Sequence, residues 1–67
     1  MIVYSAKNCP QCVFLKQRLK EKGLTYTEEQ DVEIMRKEGV TALPAVKLDD
    51  GRLLRFAEAL KYMNEVQ

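Results

Sequence analysis

Hydrophobic and polar positions follow two different periodicities in the first half of this chain. Ile2-Val3-Tyr4 is an apolar, β-branched run of the kind that forms a buried strand. Apolar residues then recur at helical spacing, and Pro10 suits the first turn of a helix because its missing N–H costs nothing there. We predict a helix from Pro10 to about Lys22, ended by Gly23, and a second strand over residues 24–27. The inward stripe of this helix consists of Cys12, Leu15 and Leu19.

The middle of the chain predicts a short helix followed by a strand. Asp31 is a residue type that favours the N-cap position, and Gly39 suits the end of the helix. Ile34 and Met35 are the apolar members between these two ends. After a short loop, residues 45–48 (Ala-Val-Lys-Leu) have the composition of a strand.

A hairpin and a final helix complete the predicted order, β-α-β-α-β-β-α. Asp49-Asp50-Gly51 is a tight-turn sequence, and residues 52–54 form the partner strand. The first two strands are joined by a helix, which implies a parallel pair, and the hairpin adds antiparallel strands. We therefore predict one α/β domain over residues 1–67, a mixed four-stranded sheet flanked by helices. In the final helix Phe56, Leu60 and Met63 have helical spacing, with Ala57 beside them. The core is expected to include Val3, Leu15, Leu19, Val46 and Leu60.

The cysteine content changes this picture, because it offers little to stabilise so small a domain. A chain of 67 residues hides only about 60% of its surface on folding, and such chains usually need a disulfide, a metal or an oligomer. Two cysteines and no histidine are too few for a zinc site within one chain. A disulfide between Cys9 and Cys12 would close a very short loop, worth about 2 kcal/mol before strain. The pair is therefore better suited to chemistry than to holding the fold together.

Charge and hydropathy exclude several classes of partner. The net charge of +1 argues against nucleic acid, and no apolar run approaches the ~20 residues of a membrane span. No export signal follows Met1, so we expect a cytoplasmic protein whose thiols are kept reduced. Residues 1–22 carry five basic and one acidic side chain, whereas residues 23–67 carry six basic and nine acidic ones. The basic half is either a solvated helix face or a positive field around the cysteines.

Cys9-Pro10-Gln11-Cys12 is the strongest chemical signal in the sequence, because it lies where a predicted strand passes into a predicted helix. Unpaired N–H groups and the helix dipole favour negative charge at Cys9, which predicts a nucleophilic thiolate. Cys12 lies one turn later on the inward stripe, where a resolving thiol is shielded but within reach. Three alternatives remain: a structural disulfide, half of a metal or cluster site shared by two chains, and two incidental buried cysteines.

Pro44 is the second informative position. It follows Leu43 and opens a predicted strand, where proline is tolerated only at an edge or a start. One interpretation is an ordinary trans proline that begins the strand. The other is a cis bond opposite the cysteines, which would leave the Leu43 backbone free to pair with a substrate.

Taken together, Ile-Val-Tyr-Ser, Cys-Pro-Gln-Cys and Leu-Pro-Ala-Val at these separations resemble the glutaredoxin family of the thioredoxin fold. Residues 36–46 are most similar to the glutaredoxin-like redoxins that donate electrons to ribonucleotide reductase. The resemblance implies a thioredoxin-like fold in which Cys9 attacks a disulfide and Cys12 resolves the intermediate. It also implies a substrate groove shaped by Leu43 and Pro44. Lys7, Pro10 and Gln11, beside Cys9, are further candidate substrate contacts. Lys7 either holds Cys9 as a thiolate, meets a substrate carboxylate, or is a solvated loop lysine.

The resemblance also implies partners. The expected substrate is a disulfide-containing protein, such as ribonucleotide reductase. We expect this chain to be a monomer with no bound cofactor or metal. Residues 54–58 lack the glycines with which glutaredoxins hold glutathione, so glutathione and thioredoxin reductase both remain candidate electron donors. The alternative function is an iron–sulfur or metal-binding module that two subunits form through Cys9. Two further candidates are Phe14, as a partner contact or a half-buried side chain, and Arg55, as an anion-binding cation.

Overall fold

The computed structural model of the protein describes residues 1–65, which form four strands and three helices in the predicted order. The strands are β1 (Ile2–Tyr4), β2 (Thr27–Glu29), β3 (Ala45–Lys47) and β4 (Leu53–Arg55). The helices are α1 (Pro10–Glu21), α2 (Val32–Lys37) and α3 (Phe56–Glu65). The predicted order, β-α-β-α-β-β-α, is therefore confirmed.

The four strands form one mixed sheet in the order β2-β1-β3-β4. β1 is parallel to β2 and antiparallel to β3, and β3 is antiparallel to β4. The parallel pair arises because α1 crosses over between β1 and β2, whereas the short turn after β3 forces an antiparallel return. β1 and β3 occupy the centre, so the segments that follow β1 and precede β3 are neighbours.

Two hydrophobic clusters cover the two faces of the sheet, because adjacent residues of a strand point to opposite sides. Val3 faces α1 and α3, whereas Tyr4 faces α2. The larger cluster consists of Val3, Leu15, Leu19, Val46, Leu48, Ala59 and Met63. The smaller cluster consists of Tyr4, Met35 and Ala45, with Ile2, Val40 and Leu43 packed against it. Most of the apolar packing therefore lies on the α1 side.

The expected core was partly wrong on α3. Leu60 is only half-buried and Ala57 is exposed, whereas Ala59 is buried in the core. Of the two apolar residues expected in α2, Met35 is buried whereas Ile34 is 39% exposed. Helical spacing alone did not indicate which neighbouring residue faces the sheet.

The second strand begins three residues later than the predicted 24–27. Leu24 lies in the turn that caps the end of α1, because its N–H donates to the Leu19 carbonyl (3.0 Å). Pairing with β1 begins where the Thr27 N–H donates to the Met1 carbonyl (3.0 Å). Two glutamates can complete this strand because it lies at the edge of the sheet, where charged residues are common.

The fourth strand is displaced by one residue from the predicted 52–54. Arg52 belongs to the turn, because its N–H donates to Asp50 Oδ1 (3.0 Å). Its carbonyl accepts from the N–H of Leu48 (2.9 Å), which closes the turn and likewise leaves Leu48 outside β3. Strand pairing therefore starts only at Leu53.

Candidate functional site

Four chain segments meet at one end of the sheet, where β1, β2 and β4 end and β3 begins. Tyr4, the last residue of β1, pairs with Glu29 at the end of β2 and with Ala45 at the start of β3. Ala45 in turn pairs with Arg55, the last residue of β4. The loop that carries Cys9, the residues just before β3 and the beginning of α3 therefore leave the sheet on the same side.

The two cysteines lie where this end of the sheet meets α1. Cys9 is the N-cap residue of the helix, with an extended backbone (φ −114°, ψ 102°), and its Sγ accepts a hydrogen bond from the Cys12 N–H (3.2 Å). The two sulfur atoms are joined as a disulfide, and the Cα atoms are 5.2 Å apart. Cys12 is fully buried on the inward stripe, whereas Cys9 is half-buried. A reagent in solvent would therefore meet Cys9 first.

The Cys9 sulfur occupies the position that an N-cap oxygen normally takes. An acceptor at this position satisfies one of the free N–H groups of the first turn and lies at the positive end of the helix dipole. Pro10 suits the first helical position, because it has no N–H to satisfy. The same geometry that begins the helix is thus suited to stabilising negative charge on sulfur.

The residues around the cysteines are mostly in contact with solvent. Pro10 and Gln11 are exposed in the first turn of α1, and Lys7 is exposed in the preceding loop. Asn8, which the sequence did not single out, has a left-handed φ of 57° directly before Cys9. Asparagine tolerates this conformation better than most residues do, so an asparagine directly before Cys9 was the sequence signal for a left-handed turn.

Leu43 and Pro44 lie in the segment that enters β3. The peptide bond between them is cis, as the second interpretation of Pro44 predicted. Pro44 is fully buried, and Leu43 is half-buried against the cluster around Tyr4. The strand pairing of β3 starts only at Ala45. The backbone at Leu43 therefore lies outside the pairing of the sheet.

A shallow apolar depression of about 400 Å³ lies beside this segment. The segment from Val40 to Leu43 forms one side of it, and α2 forms the other with Val32 and Met35. Arg36 is its one charged lining residue among those the structure describes. A mainly apolar group next to Leu43 would fit these surroundings.

Phe14 and Arg55, the two further candidates, lie on or next to α1 and α3. The Phe14 ring packs edge-to-face against Phe56, with ring centroids 6.2 Å apart, yet Phe14 remains 46% exposed. Arg55 precedes α3, and its N–H donates to Glu58 Oε1 (2.9 Å). Glu58 therefore supplies the negative charge that the start of this helix favours.

A polar cluster around Glu28 was not found by sequence reasoning. Its Oε2 accepts hydrogen bonds from Ser5 Oγ (2.6 Å), Lys16 Nζ (2.8 Å) and Gln30 Nε2 (3.1 Å). These bonds, the one from Lys16 above all and then the one from Ser5, lower the pKa of Glu28 to about 2. The cluster depends on the register of β1 against β2, which no local pattern reveals.

Comparison with known proteins adds no assignment, because no protein-family profile, curated protein or solved structure matches this chain. None of the helices within residues 1–65 combines the length and apolarity needed to cross a membrane. Within the same residues, no three or more cysteine and carboxylate side chains gather as a metal-ion site would require.

Proposed function

We propose that this protein is a small dithiol–disulfide oxidoreductase of thioredoxin-like fold, similar to the glutaredoxin-like redoxins. The observation that carries the proposal is the Cys9 sulfur at the N-cap of α1, accepting from the Cys12 N–H at 3.2 Å. This geometry favours a thiolate at Cys9, and a thiolate is the species that attacks disulfides. The buried Cys12, one helical turn away, supplies the second thiol.

The reaction exchanges one disulfide for another. The Cys9 thiolate attacks one sulfur of a substrate disulfide, a mixed disulfide forms, and the first substrate thiolate leaves and takes up a proton. Cys12 then loses its proton and attacks the Cys9 sulfur, which releases the second substrate thiol. In total the substrate gains two electrons and two protons, and the protein is left with the Cys9–Cys12 disulfide.

The substrate we propose is a disulfide in an extended segment of another protein, such as ribonucleotide reductase. The backbone at Leu43 precedes the paired strand, so it can hydrogen-bond an extended chain as a sheet edge does. The apolar depression beside it accepts a neighbouring side chain. Lys7, Pro10 and Gln11 are exposed beside Cys9 and complete the proposed contact surface.

An external donor must return the protein to the dithiol form. Two candidates are glutathione, two molecules of which become one disulfide, and a flavin-dependent thioredoxin reductase that uses NADPH. NADPH consumption with a model disulfide tests both, once with glutathione and its reductase and once with thioredoxin reductase alone. We expect turnover in at least one system, and none in either would contradict the proposal.

Single cysteine variants test the roles of the two thiols. Cys9→Ser is expected to lower turnover by at least about a hundredfold, because the nucleophile is lost. Cys12→Ser is expected to retain the attack and to accumulate a mixed disulfide that intact-mass spectrometry detects. Full turnover by Cys9→Ser would show that the roles assigned to the two cysteines are wrong. A brown, metal-containing dimer after anaerobic purification, without exchange activity, would favour the cluster-binding alternative instead.

A further inference from the structure

One carboxylate oxygen ties together the two chain segments that carry the cysteines. Glu28 Oε2 accepts from Ser5, which follows β1, and from Lys16, four residues beyond Cys12 on α1. Gln30 donates to the same oxygen. We call these four residues the Glu28 clamp: Ser5, Lys16, Glu28 and Gln30.

The register of the sheet explains why these residues meet. Glu28 pairs with Val3, and both face α1, as does Ser5 two residues after Val3. Ser5 is fully buried and opens the loop that leads to Cys9. The Lys16 and Glu28 side chains are only 24% and 34% exposed, so their interaction is partly shielded from solvent. The clamp thus connects the start of the Cys9 loop, the cysteine-bearing helix and β2.

We propose that Glu28 is a positioning residue that sets the reduction potential of the Cys9–Cys12 pair by holding the Cys9 loop against α1. The inference rests on the proposed function, because it assigns a tuning residue to the same exchange site. Glu28 forms no hydrogen bond to either cysteine sulfur. Its effect passes through Ser5 at one end of the loop and through Lys16 on the helix.

The clamp matters more in the reduced protein than in the oxidised one. In the oxidised form, the covalent bond between Cys9 and Cys12 already holds the loop to the helix. Two electrons and two protons convert that bond into two thiols, and only non-covalent contacts then keep Cys9 at the N-cap. Weakening the clamp therefore destabilises the dithiol more than the disulfide, which lowers the reduction potential.

A direct charge effect would have the opposite sign. The Glu28 carboxylate is negative, so removing its charge would by itself favour a nearby thiolate and raise the reduction potential. Ser5→Ala removes one bond of the clamp while leaving every charge in place. Positioning predicts the same direction of change for Glu28→Gln and Ser5→Ala, whereas a charge effect predicts that only Glu28→Gln responds, and upward.

The test measures the dithiol–disulfide equilibrium of the purified protein in dithiothreitol buffers, by alkylation and intact mass. For Glu28→Gln and for Ser5→Ala we expect at least about a threefold shift toward the disulfide, equal to ~14 mV for a two-electron couple. Glu29→Gln is the matched control. It removes the same charge from the next residue of β2, which pairs with Tyr4 and faces the other side of the sheet.

An unchanged potential in both clamp variants, or an upward shift in Glu28→Gln, would overturn the inference. So would an equal loss of thermal stability in both redox forms, because a purely structural clamp leaves the potential unchanged. Ser5→Ala is the smaller change and preserves the test if Glu28→Gln fails to fold. Failure of the proposed function would give a different result. The wild-type protein would then show no turnover, whereas its reduction potential would still respond to Glu28→Gln and Ser5→Ala.

Discussion

Asn8 turns the chain directly before Cys9 with a left-handed backbone, φ 57°. Side chains other than glycine, asparagine and aspartate are strained in this conformation, because Cβ approaches the following carbonyl oxygen. The turn brings the loop into α1 with the Cys9 sulfur aimed at the first-turn N–H groups. We therefore expect the left-handed turn at Asn8 to help the Cys9 sulfur to cap the helix.

Substitution of Asn8 tests this dependence. Asn8→Gly is expected to leave the unfolding free energy within about 0.5 kcal/mol, because glycine adopts positive φ freely. Asn8→Val is expected to cost about 1–2 kcal/mol and to slow disulfide exchange by Cys9, because a β-branched residue is strained there. Urea unfolding of the oxidised variants measures the first effect, and the rate of Cys9 alkylation after reduction measures the second. Equal stability of the two variants would contradict the role of the turn.

At the scale of elements, α1 is attached to the sheet by apolar packing and by the Lys16–Glu28 ion pair. Leu15 and Leu19 are buried against Val3 and Val46, and the ion pair adds a polar contact to β2 at 2.8 Å. The hydrogen bonds at Glu28 lower its pKa to about 2. The folded protein therefore binds the proton of this carboxyl less readily than the unfolded chain does.

Stability in acid follows from this difference in pKa. The contribution of Glu28 is fully present above the ordinary pKa of about 4.5 and is lost as the pH falls through about 2. We expect it to amount to about 1 kcal/mol, since a side chain that is one-third exposed is screened by solvent. Urea unfolding between pH 5 and pH 2 should show the gap between wild type and Glu28→Gln closing as the pH falls. A gap that stays constant would show that Glu28 acts without titrating.

The elements also show how far the sequence predicts this structure. α1 was predicted closely because Pro10 and Gly23 mark its ends chemically, and Gly23 does take a left-handed φ of 72°. β2 was misplaced because an edge strand of one threonine and two glutamates has no apolar alternation. The cysteine pair was visible as a local motif, whereas the bond from Ser5 to Glu28 joins residues 23 positions apart. Contacts of that kind depend on strand register, which the sequence pattern leaves open.

At the scale of the whole molecule, the fold depends on two small clusters of apolar side chains rather than on its disulfide. The bond joins residues only three positions apart, so it restricts the unfolded chain very little. Cys12 is buried, but neither cysteine is a member of the larger apolar cluster that joins β1, β3, α1 and α3. We therefore expect the reduced protein to remain folded.

Thermal unfolding with and without dithiothreitol tests this expectation. The short loop is worth at most about 2 kcal/mol, which lowers the melting temperature by about 15 °C or less in a domain of this size. Cys9→Ser lacks the disulfide and should show no response to the reductant, which makes it the control. Loss of a cooperative transition on reduction would mean that the cysteine pair holds the fold together.

The Cys9 sulfur at the N-cap of α1 has a consequence for the proposed exchange reaction. In the oxidised protein, a neutral sulfur accepts the Cys12 N–H; in the thiolate form proposed above, a charged acceptor takes its place, and charge-assisted bonds are the stronger kind. In the proposed reaction, reduction of the disulfide would therefore also strengthen the capping of a twelve-residue helix. A partner that takes this sulfur into a mixed disulfide would replace the charged acceptor by a neutral one, so disulfide exchange would also loosen the first turn of α1.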